Sequence, residues 1–401
     1  MTRTFDTISC IRRLGLAAGI VVSVVAFENA LAADGYPVEA KVIQVMAAFD
    51  NPEGAIFSAD GKSVFISNSA EIGDRGKDFA WTEGEGYISK LSVGDDGQLA
   101  MVEEKLIDGL TGPLGMAVLP VATGKFPAGT IILCVGSAPL VDSNGEVVKD
   151  PARLRTKLVA FNDDGEVLGE IDTGTGSIFH KIGGNPVALI NALGFDADGN
   201  LFFADTEFGA GQFDGGFSGG SGAWMIPHGS LDALADGQDP EAPPVFLSIP
   251  GNPDGVEVSP LDGKVYINTV GPVADAPDPA EGGVYALTID DFKSGNLPTP
   301  IDTKLGALDG LDFTNGGLML NTQIKGDVEA SIYVNCPGQA AKVLSIAGDN
   351  GALAGPADLA VRRASDGSQL VIVPELMARD ATPGDDEVTV LMLPAGFDKG
   401  C

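Results

Sequence analysis

The chain is poor in the residues that most often carry metal and nucleophilic chemistry. Its 401 residues include two histidines, four cysteines, two tryptophans and five tyrosines. No C-x-x-C or paired Cys/His spacing occurs, which excludes the usual zinc frameworks. Positive charge is equally scarce: 24 Lys and Arg face 56 Asp and Glu, for a net charge of −32. Nucleic acid requires a basic footprint and is excluded as a partner. Docking on an anionic membrane surface is disfavoured for the same reason. Beyond the N-terminal apolar run no stretch reaches spanning length, so no membrane span is expected in the mature chain.

Glycine, in contrast, is abundant at 55 residues. It follows no collagen period, so it signals many tight turns. Arg3, Arg12 and Arg13 precede an apolar run over 14–27, and Ala30-Leu31-Ala32 offers an A-x-A cleavage site. Residues 1–32 therefore read as a secretory signal peptide, and Arg12-Arg13 admits twin-arginine export. The expected location is the bacterial periplasm or the exterior. Export would remove Cys10, leaving Cys134 in an apolar strand as a buried thiol and Cys336 with Cys401 as an expected disulfide.

The remainder, 33–401, is organised by six copies of one unit. They begin PEGAIFSADGKSVFISN at Pro52, PLGMAVLP at Pro113 and ALGFDADGNLFFAD at Ala192. They continue with PDGVEVSPLDGKVYIN at Pro253, LDGLDFTNGGLMLN at Leu308 and PADLAVRRASDGSQLVIV at Pro356. Each unit has an apolar entry, a Gly, an alternating strand, a tight turn and a second strand, followed by further strands at 87–93 and 99–106 in the first copy and 284–289 in the fourth. Four antiparallel strands per repeat joined by Asp-Gly and Asn-Gly turns are the signature of a propeller blade. The expectation is an all-β, six-bladed β-propeller forming a single domain. The sixth copy ends at 387–394 without a fourth strand, and the N-terminal segment Ala40–Ala47 supplies one that closes the ring. Only one short helix, at 230–235, is expected. A β-sandwich would not explain six similar units.

In a propeller the first strand of each blade lines the central channel. The residues before the shared Gly should therefore form a ring at one mouth: Glu53, Leu114, Leu193, Asp254 and Asp309. In the sixth copy Ala357 holds the place and Asp358 replaces the Gly. Asn51 and Asn191 stand just upstream of the ring in copies one and three. Like charges held together repel and are costly to desolvate, so a hard cation would stabilise them. Ca²⁺ suits irregular oxygen ligands best, with Mg²⁺ or Mn²⁺ as alternatives. Asp before Gly also initiates turns through its side chain, and that reading stands beside the metal. Second strands return to the same mouth with Asn68, Asp205, Asn268 and Asn321. Loops over 69–86, 206–222 and 269–283 could carry Trp81, Phe208, Phe213 and Phe217 over a ligand.

These anchors resemble the senescence-marker-protein/gluconolactonase family of six-bladed propellers. That family carries an E-G motif in blade one, an Asn in blade three, P-N-G in blade four and P-D-G in blade five, with one divalent cation among them. Pro52-Glu53-Gly54 matches the first motif. Pro253-Asp254-Gly255 stands where the family has P-N-G, and Leu308-Asp309-Gly310 matches the blade-five motif with Leu for Pro. Asn191 is the blade-three candidate, two residues before Leu193. The resemblance implies a cation held by Glu53, Asn191, Asp254 and Asp309, and hydrolysis of lactones or related esters. Asp309 would be both ligand and general base. His180, in the connection into blade three, is a second candidate base in the paraoxonase manner, whereas His228 reads as structural. No match exists for the arginine that grips sugar acids in some family members.

Gly216-Phe217-Ser218-Gly219-Gly220 satisfies G-x-S-x-G but lacks the strand before and helix after that a nucleophile elbow requires. Two function classes result. One is an exported metal-dependent hydrolase acting on a small-molecule substrate. The other is a non-catalytic propeller that binds a small ligand or a protein partner.

Overall fold

The structure, a computed structural model, describes residues 39–72, 80–136, 138–206, 220–271, 282–325, 331–336, 339–347, 353–364, 366–376 and 386–400. The signal-peptide segment, the expected loop aromatics Phe208, Phe213 and Phe217, and Cys401 lie outside them. Among the described residues no helix is long and apolar enough to cross a membrane.

Six antiparallel sheets form the blades. The first four blades have inner strands Pro52–Phe57, Met116–Val118, Ile190–Phe195 and Pro253–Val258; the last two have Ala307–Phe313 and Ala360–Arg363. Each inner strand contacts the next, and the sixth contacts the first. In the first five blades the strands follow one another outward in chain order. The reason is local: short connections favour hairpins, and Gly61, Gly97, Gly199 and Gly263 each take the positive φ that such turns need.

The sixth blade departs from that order as the sequence predicts. Its inner strand is followed by Gln369–Glu375 and Glu387–Leu393, and then Ala40–Ala47 pairs antiparallel with Glu387–Leu393. The two-residue strand Ile346–Ala347 adds in parallel beyond Ala40–Ala47. The N-terminal strand is thus held on both edges.

Apolar packing occurs at every blade–blade seam. Phe65 and Ile88 of blade one meet Met116 and Leu133 of blade two. Phe203 and Trp224 of blade three meet Leu158 and Cys134 of blade two. Equivalent clusters join blades three and four, four and five, five and six, and six and one. Both faces of a blade are therefore buried, which explains strands such as Ile131–Val135 that are apolar throughout rather than alternating. Burial pushes the Cys134 thiol up from its ordinary range, as expected of an inert core cysteine. Cys336 is disulfide-bonded.

Among the described residues two α-helices arise where a strand or loop was expected, besides the one at Leu231–Ala235. Ile178–Gly183 lies in the connection into blade three, and Ile289–Ser294 follows blade four's third strand. That strand stops at Leu287 because Thr288 and Asp291 form a reciprocal capping box, and Gly295 ends the helix in the left-handed region. Trp81 also differs from expectation. Its strand, Ala80–Thr82, joins a small sheet with Leu140–Val141 and Glu71–Ile72, and the ring is buried rather than placed over a ligand.

Candidate functional site

The channel mouth is built by a repeated bulge. Pro52 pairs with Asn68, but the next pair is Ala55 with Ile66, so three steps on the inner strand face two on its partner. Blade four repeats this between Pro253 and Val256, and blade five between Leu308 and Leu311. The bulge leaves the second and third residues of each set, counted from Pro52, Pro253 and Leu308, without partners in register on the second strand. Glu53, Asp254 and Asp309 occupy that second position, and all three are buried, at 2–3% exposure.

Blade three carries the same bulge between Ile190, which pairs with Asp205, and Leu193, which pairs with Phe203. Its register makes Asn191, not Leu193, the counterpart of Glu53, Asp254 and Asp309. Ala192 therefore stands where the other copies have Gly. The sequence alignment slipped because Gly194 attracts the glycine of the motif. Backbone contacts give the same assignment independently. Gly115 N–H donates to Asn191 O at 2.8 Å, Gly310 N–H to Ala357 O at 3.0 Å, and Asp358 N–H to Glu53 O at 3.1 Å. In each case the residue after one blade's anchor bonds to the next blade's anchor. The mouth ring is thus Glu53, Leu114, Asn191, Asp254, Asp309 and Ala357.

This contact accounts for the shared glycine. A Cβ on Gly115 would stand 2.6 Å from Asn191 O, and one on Gly310 would stand 2.4 Å from Asp358 Cα. Neighbouring inner strands touch backbone to backbone at this level, which leaves no room for a side chain pointing that way. Second-strand side chains fix the same amides. Ser67 Oγ accepts from Gly54 N–H, Asn268 Oδ1 from Gly255 N–H and Thr322 Oγ1 from Gly310 N–H, each at 2.7 Å. Asn268 Nδ2 then donates across the seam to Gly310 O at 3.0 Å. Of the expected supporting polar groups, Asn268 thus orients ring backbone rather than a ligand side chain. Asn51 and Asn252, immediately before the anchors' prolines, take φ of +49° and +54°. Strain of this kind persists only where surrounding structure enforces it.

Two further acidic groups, Glu257 and Asp312, went unnoticed in the sequence, and Asp358 was noted only as a departure from the glycine register. Glu257 and Asp312 stand three residues beyond Asp254 and Asp309, and Asp358 occupies the glycine register of blade six. All three retain only partial exposure, and they lie close enough for their charges to act on one another. Burial pushes the Asp358 carboxyl well above its usual range, and the charges of Asp309 and Asp312 push it further. Glu257 is raised by burial and then by Asp312 and Asp358. Asp312 is raised by burial, against the pull of N–H donors from Phe313 and Val361. At the sixth blade's mouth Glu375, also buried, is pushed up to about 7, mainly by desolvation. The available signals were the departure of Asp358 from the Gly pattern and the acidic third residue after two acidic anchors.

His180 lies on the helix Ile178–Gly183, where its Nδ1 accepts Gly176 N–H at 3.0 Å. The neighbouring Phe179 seats the helix on Trp224 of blade three. His228 donates its backbone N–H to Asn200 Oδ1 beside the same blade.

The oxygen-only donor set of Glu53, Asn191, Asp254 and Asp309 fits a hard divalent cation in its chemistry, and one register on four blades presents it to one mouth. Among the described residues, however, no three His, Cys, Asp or Glu side chains are grouped closely enough to hold a metal ion.

The molecule is therefore a six-bladed β-propeller with a carboxylate- and amide-bearing ring at one end of its channel. It shares this fold with gluconolactonase-type propellers. A structural-genomics protein assigned as a gluconolactonase is 14% identical, with 90% of this chain and 95% of that one covered at a TM-score of 0.52. The PQQ-bound aldose sugar dehydrogenase of Streptomyces coelicolor is 13% identical, with 89% and 99% covered at a TM-score of 0.53. A gluconolactonase from Xanthomonas campestris is 15% identical, with 89% and 99% covered at a TM-score of 0.47. No family model matches the sequence. No curated protein matches it either.

Proposed function

We infer that this chain is a hydrolase of lactones or related esters, working at the channel mouth on a small-molecule substrate after export. The observation that carries the reading is the single bulge register that presents Glu53, Asn191, Asp254 and Asp309 to one mouth. A divalent cation, Ca²⁺ first, held by these four residues would supply polarisation of the substrate carbonyl. Asp309 takes a proton from water as general base. Burial and the charges of Asp309 and Asp312 raise the Asp358 carboxyl, which favours its neutral form and limits the negative charge that Asp309 must tolerate. The hydrogen-bonded ring backbone holds these groups in place. His180 is bound within its own helical turn, so the base role is assigned to Asp309.

The test is hydrolysis of a lactone panel followed with a pH indicator. Asp309→Asn is expected to lower kcat/KM by at least about 100-fold, the scale of general-base loss, while His180→Ala changes it little. In parallel, Ca²⁺ added after chelation should raise the melting temperature of the wild type but not of the Glu53→Ala, Asp309→Ala double variant. Equal lactone rates for wild type and Asp309→Asn would remove the reading. The spread of the carboxylates, with no three around one point among the described residues, is what favours the non-catalytic alternative. No Ca²⁺ response together with no hydrolysis would establish it.

A further inference from the structure

In a chain this acidic, a pocket with a positive lining is unexpected, and one exists away from the ring. It lies between blades one and two, at the end of the blades where the inner strands begin, and has a volume of about 140 Å³. Leu110, which ends blade one's outer strand, and Val135, which ends blade two's second strand, form part of its wall. The polar lining includes Arg153, Arg155 and Lys157 against a single carboxylate, Glu83.

The three cations are there by construction. Leu154 is extended, with φ −71° and ψ 103°, and Lys157 opens the strand Lys157–Phe161. An extended chain sends alternate side chains to opposite sides. Leu154, Thr156 and Leu158 are accordingly buried at 0–1% exposure, and Arg153, Arg155 and Lys157 fall on the other side. Arg153 pairs with Glu83, and Lys157 Nζ lies 2.6 Å from Glu170. Asp172, opposite Lys157 across the strands, is engaged by Gly174 N–H at 3.0 Å. Arg155 makes no ion pair or hydrogen bond among the described residues. Thr111, also in the lining, accepts Gly84 N–H at 3.0 Å, which leaves its hydroxyl proton to donate. The lining thus carries three cations and one carboxylate in a chain whose acidic residues outnumber its basic ones by 56 to 24.

We propose that this pocket is a binding site for a small oxyanion, a phosphate or carboxylate group, gripped by Arg155 with Lys157 and Thr111. Its volume admits one such group with a few attached atoms. Guanidinium offers the forked donor geometry that oxyanions match. The site goes beyond the hydrolase reading and does not depend on the ring carboxylates.

The experiment is calorimetric titration of the mature protein with inorganic phosphate and, separately, with malonate. Sodium chloride at equal ionic strength serves as the control for simple screening of the net charge. Saturable binding of at least one anion above the chloride control is expected, and the stronger of the two identifies the group. Arg155→Gln should weaken it at least tenfold, and Lys157→Gln to a smaller extent. Arg155 is exposed, so its loss leaves the fold intact, as an unchanged melting temperature in chloride would verify. Asp309→Asn should bind the anion as the wild type does. Binding no better than chloride, or equal affinity in Arg155→Gln, would overturn the proposal. Loss of lactone hydrolysis with retained anion binding would bear on the channel alone.

Discussion

At the residue scale the ring depends on glycine for space rather than for flexibility. Gly310→Ala places a methyl against the Asp358 backbone and should destabilise by about 1–3 kcal/mol, the usual cost of overpacking. Gly229→Ala, with open space around it, should stay within about 0.5 kcal/mol. Denaturant melts of the two variants check the contrast. The same close contact explains what was legible here and what was not. Four glycines in a shared register, Gly54, Gly115, Gly255 and Gly310, announced the repeat, because a missing side chain is visible in sequence. Ala192 fills that place in blade three, where Gly194 two residues on misdirected the alignment; only the pairing of Ile190 with Asp205 puts Asn191 in the ring. Asp358 was visible as a substitution, but its confrontation with Asp309 depends on two blades meeting.

At the element scale the blades were readable because each hairpin is local: strand, turn and strand lie within about twenty residues, and alternation and turn chemistry act over that distance. The N-terminal strand was legible by counting, since a blade short of one strand needs a donor. Its closure leads to a prediction. Removing residues 39–47 exposes the edge of Glu387–Leu393 and should abolish a single cooperative unfolding transition, with partial recovery when a peptide of residues 40–47 is added. Scanning calorimetry would show both effects, and an unchanged transition would contradict the closure role. The helix Ile289–Ser294 was missed although its signals are present. Thr288, Asp291 and Gly295 form a complete set of start and stop residues, but the apolar alternation before them drew the strand two residues too far, to 289 rather than Leu287.

At the scale of the whole molecule, excess acid and buried carboxyls act in the same direction. Glu375 ordinarily titrates near 4.5 and is raised to about 7 by burial. A raised carboxyl binds its proton more tightly folded than unfolded. Its contribution is complete below about pH 4.5 and is lost as pH rises through about 7, which amounts to about 3 kcal/mol at most for a shift of this size. Asp312 is shifted in the same sense. The melting temperature should therefore be higher at pH 5 than at pH 8. Glu375→Gln, which keeps the shape and removes the titration, should flatten that slope. A melting temperature that rises from pH 5 to pH 8 would contradict the assignment. Added salt should reduce the part of the slope that comes from general repulsion and leave the Glu375 part in place.

The strand that seals the ring also sets a timetable. Ala40–Ala47 is made before every blade of the ring, whereas Glu387–Leu393, its antiparallel partner, follows five of them and most of the sixth. Until the sixth blade is made, this strand has no place to dock and the first blade has no neighbour on one side. The growing chain must carry two unpaired edges throughout, a standing invitation to aggregate. Circular permutation that joins Ala40–Ala47 directly after Glu387–Leu393 would remove the wait, and should speed refolding while leaving the finished ring unchanged.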